Sequence, residues 1–186
     1  MSEQDRIKHT PASFRDEFHR NLGRLVHSMA MFDFLVGLQL NWIGLCLKIE
    51  VSEHLNPKRV QFGTRLKKLR PLLQQYFESA GATAQDEFSQ WCHRAEEARA
   101  MRNDYVHGRW GVPAKRQFNS EGYAVEGHWL LGFVPLHWDL SGQSDIQEKL
   151  MTMEEFAADV DACERLLQEY RALSDRYERF VVLRPR

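Results

Sequence analysis

Apolar residues recur along most of this chain at gaps of three and four, the spacing of one face of an α-helix. Leu22, Leu25, Met29, Phe32, Val36, Ile43 and Cys46 trace a first stripe. Phe62, Leu66, Leu69, Leu73 and Tyr76 trace a second, and Phe88, Trp91, Ala95, Ala98 and Tyr105 a third. Phe156, Val160, Cys163, Leu167, Tyr170 and Tyr177 trace a fourth. Local signals bound these segments. Thr10-Pro11 supplies a cap and a first-turn proline for a helix running to about Glu50, loosened near Gly37 or Gly44. Asn56-Pro57 marks a break, and Pro71 predicts a kink or two short helices in the second segment. Gly81 ends that segment, and Thr83 with Asp86 opens a third helix that stops near Gly108. Thr152 with Glu155 forms a capping box for the last helix.

Residues 108–145 lose the helical period and hold glycines, prolines and three tryptophans. Tyr123 to Val125 and Trp129 to Val134 read as short strands of a hairpin turning at Glu126-Gly127. The expected fold is all-α: a four- to five-helix bundle, in one domain over 1–186, with an irregular or β-hairpin insertion at about 108–145 before the last helix.

From Ala30 onward the first helix is apolar on more than one face. Such a helix is buried on several sides, which in a small chain points to a homodimer. Met29 to Ile49 is the one stretch to test as a membrane span, but Asp33, Gln39, Asn41 and Lys48 interrupt it. A core helix with an apolar dimer face is the expected role, and Met1 to Thr10 does not read as a signal peptide. The three cysteines, Cys46, Cys92 and Cys163, lie far apart on apolar positions, which suits buried thiols in a reducing, cytoplasmic setting. No regular Cys/His cluster suggests a metal, His19 and His27 lack a third ligand, and no cofactor is implied. With 25 basic and 26 acidic residues, net charge carries no signal for nucleic acid, so any such binding must be local.

One position breaks the third stripe. Arg102 occupies a slot where an aliphatic residue belongs, between Ala98 and Tyr105. A guanidinium keeps its charge, so a buried one requires an anion, a paired carboxylate or a wet cleft. An imidazole, His107, follows at the end of the same helix, so the segment is a candidate for phosphate chemistry.

Arg102-Asn103-Asp104-Tyr105-Val106-His107, extended by Gly108-Arg109-Trp110, resembles the signature of the HEPN superfamily. That signature is an arginine, commonly followed by a polar residue, and a histidine four to six residues further on, near the end of the penultimate long helix. A long apolar first helix with an acidic residue, here Asp33, also fits. The resemblance covers about ten residues in motif and most of the chain in architecture. It implies a helical bundle and a homodimer with both motifs at one cleft. It implies metal-independent cleavage of RNA, often in toxin–antitoxin or phage-defence systems, with a nucleotidyltransferase-type antitoxin as a further partner. It also admits non-catalytic modules that bind RNA, nucleotide or a partner protein.

On that reading Arg102 holds the scissile phosphate and His107 acts as general acid or base for attack by the 2′-hydroxyl, with Asn103 assisting and Asp33 and Tyr105 supporting. Each residue has a plainer alternative. Arg102 can form a structural ion pair with Asp33, Glu96 or Glu97, and His107 can answer the helix dipole. Asn103 can face solvent, and Tyr105 can pack in the core. A purely structural helical dimer is the corresponding reading of the whole chain. Five positions separate Arg102 from His107 by about 140° on a straight helix, so they converge only at a frayed end or across two protomers. Arg65, Lys67, Lys68 and Arg70, with Lys58 and Arg59, form a basic run with no acidic residue over 54–77. With Arg109 and Trp110 they are candidate RNA contacts, the alternative for the run being a solvated helix face. Trp110, Trp129 and Trp138 can stack on bases or pack the insertion.

Overall fold

A computed structural model describes residues 11–56, 60–111, 114–118, 124–134 and 149–181. Its elements are α1 (Pro11–Leu47), α2 (Phe62–Tyr76), α3 (Ala82–His107), β1 (Arg109–Trp110), β2 (Ala114–Phe118), β3 (Ala124–Val134), β4 (Lys149–Met151) and α4 (Met153–Tyr177). Short 3-10 turns lie at Ser52–His54, Glu78–Ala80 and Glu178–Phe180. The described chain is mostly helical, with a small antiparallel sheet between the third and fourth helices.

Several boundaries differ from expectation, each for a local reason. α1 is continuous to Leu47, without a break at Gly37 or Gly44. It stops because Lys48 turns into the left-handed region at φ 56°, with Lys48 N–H donating to Leu45 O and Ile49 N–H to Gly44 O. That pairing satisfies the last helical carbonyls in the Schellman manner. Gly44 serves the return of the chain, since a Cβ there would lie 2.8 Å from Val51 Cγ2 and 3.1 Å from Ile49 O. Pro71 neither breaks nor divides α2. It lies on the exposed side, where water can serve the carbonyl freed one turn earlier. α3 begins at Ala82, so Thr83 sits inside its first turn and is not its cap. The capping box of α4 forms as read: Glu155 N–H donates to Thr152 Oγ1 at 3.1 Å and Thr152 N–H to Glu155 Oε2 at 2.7 Å.

The sheet is a correction. Glu126 and Gly127 do not turn a hairpin, because Ala124–Val134 is one continuous strand. The antiparallel partner of its first part is β2, in register Ala114↔Leu130 to Phe118↔Ala124. The register shifts between Arg116 and Gln117, so 126 and 127 fall in a bulge, which accommodates a glycine within a strand. The second part of β3 pairs with β1 at Phe133 and Val134 and with β4 at Leu131 to Phe133. Tyr123 and Trp138 lie outside the described residues.

The chain divides into two compact units, and α1, α3 and α4 contribute to both. Unit one comprises Met1–Val26 and Arg102–Asp161; unit two comprises His27–Met101 and Ala162–Arg186. Unit two is bundle-like, with its helical segments meeting through aromatic rings. Phe32 of α1 touches Phe62 of α2 and Trp91 of α3, and Trp91 lies 4.8 Å from Tyr170 of α4. Burying the polar tips of these rings costs free energy unless each is bonded. Trp91 Nε1 donates to Leu166 O at 3.0 Å, and Tyr170 Oη to Gln39 Oε1 at 2.9 Å. Burial holds the Tyr170 phenol protonated well above its ordinary range, so it remains a donor. The α4 stripe uses Leu166, which is buried, where the spacing suggested Leu167, which is half-buried. The three cysteines are thiols and form no disulfide; Cys92 and Cys163 are buried and Cys46 is half-buried. Burial pushes the Cys92 thiol up to about 11.

Unit one is closed by a second aromatic cluster. Trp110 packs against Phe18, Phe133, Phe156 and Tyr105 with ring centroids 4.9–5.4 Å apart. Phe14 of α1 adds a contact to Trp129 of β3. Arg24 pairs with Asp161 at 2.7 Å and also bonds Asn21, which reaches Met153 Sδ.

Two glycine variants separate close packing from helix propensity. Gly44→Ala is expected to destabilise by about 1–3 kcal/mol, because the added methyl overpacks Val51 and the returning backbone. Gly37→Ala meets only Arg65 Nη1 at 3.9 Å, an ordinary contact, and is expected to be neutral or to stabilise by up to about 1 kcal/mol through helix propensity. Urea unfolding of the two variants beside the wild type checks the ordering.

Candidate functional site

The end of α3 and the start of the sheet hold the motif. Helical geometry continues through His107, and Gly108 N–H still donates to Asp104 O at 2.6 Å. Gly108 is required by proximity, since a Cβ there would lie 2.4 Å from both Asp104 O and Phe133 Cε2. The glycine lets β3 close directly against the helix end. One turn back, the Tyr105 carbonyl would be orphaned, and the Trp110 indole N–H donates to it at 2.7 Å. Trp110 is therefore a side-chain cap held in the aromatic cluster. It is half-buried, with its one donor spent and its ring packed, which is the packing alternative of the two roles open to it. Trp129 likewise packs on Phe14.

Tyr105 is buried, and its hydroxyl donates to Asp159 of α4 at 2.5 Å. That settles its side chain as a core group with a polar anchor. Asp159 was missed in the sequence; its only signal was a carboxylate one position from the buried Val160.

Arg102 is half-exposed, not sunk in the seam. Its Nη1 donates to the side-chain carbonyl of the adjacent Asn103 at 3.1 Å. None of its three expected carboxylate partners is free to serve it. Asp33 accepts from Arg65 Nη1 at 2.5 Å, Glu96 from Arg99 Nε at 3.0 Å, and Glu97 lies 3.3 Å from His93 Nε2. Among the described residues Arg102 has no carboxylate partner. Asn103 is half-exposed and His107 exposed, one turn apart on one side of α3. Arg109 is exposed at the start of β1. Because α3 does not fray, Arg102 and His107 remain about 140° apart around its axis. Asn103 accepts from the guanidinium and precedes His107 by one helical turn.

The expected pairing of Asp33 with Arg102 is thus corrected, and so is Arg65 as a surface contact for RNA. The period of α2 places Arg65 with Leu66, Leu69, Leu72 and Leu73 on the inward side, where it is 4% exposed. Its guanidinium bonds Asp33 and the Val60 carbonyl, and its Nε is buried without a hydrogen-bond partner among the described residues. The exposed members of the basic run are Lys67 and Arg70, with Lys68 half-buried, and Arg70 bonds Ser89 Oγ at 3.1 Å. Lys58 and Arg59 lie outside the described residues. Elsewhere on unit two, a shallow groove of about 320 Å³ runs between α3 and α4. Its charges pair with each other, Arg94 with Glu169 and Arg176 with Glu87, each at 2.9 Å. No group of three or more metal-ligating side chains occurs among the described residues.

The two arginines should respond differently to removal. Arg65→Ala is expected to cost about 2–4 kcal/mol, since it strands Asp33 and opens a cavity; the figure is kept below the fully buried limit because Asp33 is a third exposed. Arg102→Ala should stay within about 0.5 kcal/mol of wild type. Chemical denaturation distinguishes these outcomes, and a large loss at Arg102 would show a structural role there. No protein-family model, curated protein or solved structure matches this chain.

Proposed function

We propose that the end of α3 is the anion-binding site of a metal-independent endoribonuclease of the HEPN kind. The single observation that carries this reading is the state of Arg102. It is a permanent cation, half-exposed, with no carboxylate partner among the described residues. A guanidinium pre-oriented by a neutral carbonyl keeps donors for the oxygens of a phosphate, where charge-assisted bonds are strongest. In the proposed reaction the ribose 2′-hydroxyl loses its proton to a base and attacks the adjacent phosphorus. The bond from phosphorus to the 5′-oxygen breaks, the leaving oxygen takes a proton, and a 2′,3′-cyclic phosphate remains. Arg102 stabilises charge on the non-bridging oxygens, and His107 exchanges a proton. Lys67, Lys68 and Arg70 are separate candidates on unit two for RNA phosphates, a contact that would make affinity fall with salt.

The angular separation of Arg102 and His107 favours a second reading within one chain: an RNA- or nucleotide-binding module that does not cut. On the nuclease reading, Arg102 of one copy works with the imidazole of another.

Incubation with mixed RNA in EDTA separates the two. The nuclease is expected to leave cyclic-phosphate ends and to lose roughly a hundredfold or more in rate in Arg102→Ala and in His107→Ala, with unfolding transitions unchanged. Equal mixing of the two variants should restore part of the activity if the site is shared between copies. Salt-sensitive RNA binding without cutting selects the module. Absence of both binding and cutting removes the proposal.

A further inference from the structure

The outer face of α1 carries a continuous apolar surface. Met31, Phe34, Leu38, Trp42 and Leu45 are 44%, 61%, 49%, 53% and 68% exposed. Over residues 27–47 the only charged side chain is Asp33, and it is bound by Arg65. The exposed face is therefore free of charge, while Phe32, Val36, Leu40 and Ile43 on the opposite side are buried in the core of unit two. Soluble chains rarely leave such a surface bare unless something covers it.

The spacing identifies the cover. About Leu38, the five positions fall at offsets of −7, −4, 0, +4 and +7. The pattern is a palindrome, so a two-fold axis at Leu38 superimposes it on itself with the helix direction reversed. We propose that this face pairs antiparallel with the same face of a second copy of the chain. Leu38 meets the partner's Leu38, Phe34 meets the partner's Trp42, and Met31 meets the partner's Leu45. Every apolar position finds an apolar position, as a self-complementary two-fold interface requires. The 3-4-4-3 spacing is that of a helix–helix seam, and antiparallel alignment sets the two helix dipoles head to tail.

The area is sufficient. Large side chains at these exposures leave on the order of 100 Å² each, so the pair would cover on the order of 1,000 Å² from these residues alone, the threshold for a specific interface. A bilayer is the competing occupant, because α1 is long and apolar enough to cross one by length and composition. The packing favours the second copy: the opposite side of α1 (Phe32, Val36, Leu40, Ile43) is buried in unit two against helices dense in Lys, Arg and Glu, which would have to follow it into the hydrocarbon. The proposal does not rest on cleavage of RNA, and either can fail alone.

Sedimentation equilibrium of the full chain from nanomolar to micromolar concentration tests it. Wild type should be dimeric. Leu38→Glu places two carboxylates against each other on the axis and should raise the dissociation constant roughly a hundredfold or more, with the monomer's unfolding transition retained. Direction is tested by mild oxidation in a Cys46→Ser background. Leu38→Cys should cross-link to itself, and Phe34→Cys mixed with Trp42→Cys should cross-link far better than either variant alone. A monomeric wild type, a dimer indifferent to Leu38→Glu, or efficient self-cross-linking of Phe34→Cys would each overturn the pairing. So would a wild type that is monomeric in buffer and sediments with phosphatidylcholine–phosphatidylglycerol vesicles.

Discussion

A guanidinium cannot shed its charge, so wherever the helical period carries an arginine inward an anion has to meet it. In this chain that residue is Arg65. It shares the inward side of α2 with four leucines, and Asp33 on α1 answers it at 2.5 Å. The pair ties α1 to α2 inside unit two. It also decides what is left for the rest of the molecule, because the one acidic side chain of α1 between His27 and Leu47 is spent there. The outer face of α1 is left uncharged, and Arg102 is left without that partner.

The core around that pair follows a consistent rule. Large rings supply the buried area, and each polar tip is bonded before it is buried. Trp91 donates to a carbonyl of α4, and Tyr170 to Gln39 of α1. In unit one Tyr105 donates to Asp159 and Trp110 to the Tyr105 carbonyl. These bonds fix ring orientation, since a misplaced ring would strand a donor at a cost of about 1–3 kcal/mol. The motif segment is consequently half scaffold: Tyr105, Gly108 and Trp110 hold the helix end against β3. Arg102, Asn103 and Asp104 are half-exposed, and His107 and Arg109 are exposed.

The helical period located all four helices, and the capping box marked the start of α4 within a residue. Those features are local, written by neighbours three or four positions apart. The misreadings were non-local. Glu126-Gly127 looks like a turn until β2 is seen beside it with a shifted register. Lys67, Lys68 and Arg70 look equivalent to Arg65 until Asp33, thirty-two positions away, claims one of them. Arg102 looks buried because its slot belongs to the stripe, yet at the last turns of α3 the slot is half-open. The preference of Trp110 for capping over stacking depends on a carbonyl five residues earlier and on rings from α1, β3 and α4.

By itself the sequence determined the helical segments, the mostly buried thiols, the Arg-x4-His spacing and the palindromic apolar spacing about Leu38. Each of these is a matter of periodicity or residue type along one stretch of chain. Only the tertiary structure decided which arginine is neutralised, which tryptophans are committed to packing and which apolar stripe of α1 remains open. Pairing and burial depend on which distant segment arrives opposite a side chain, and spacing along the chain does not encode that.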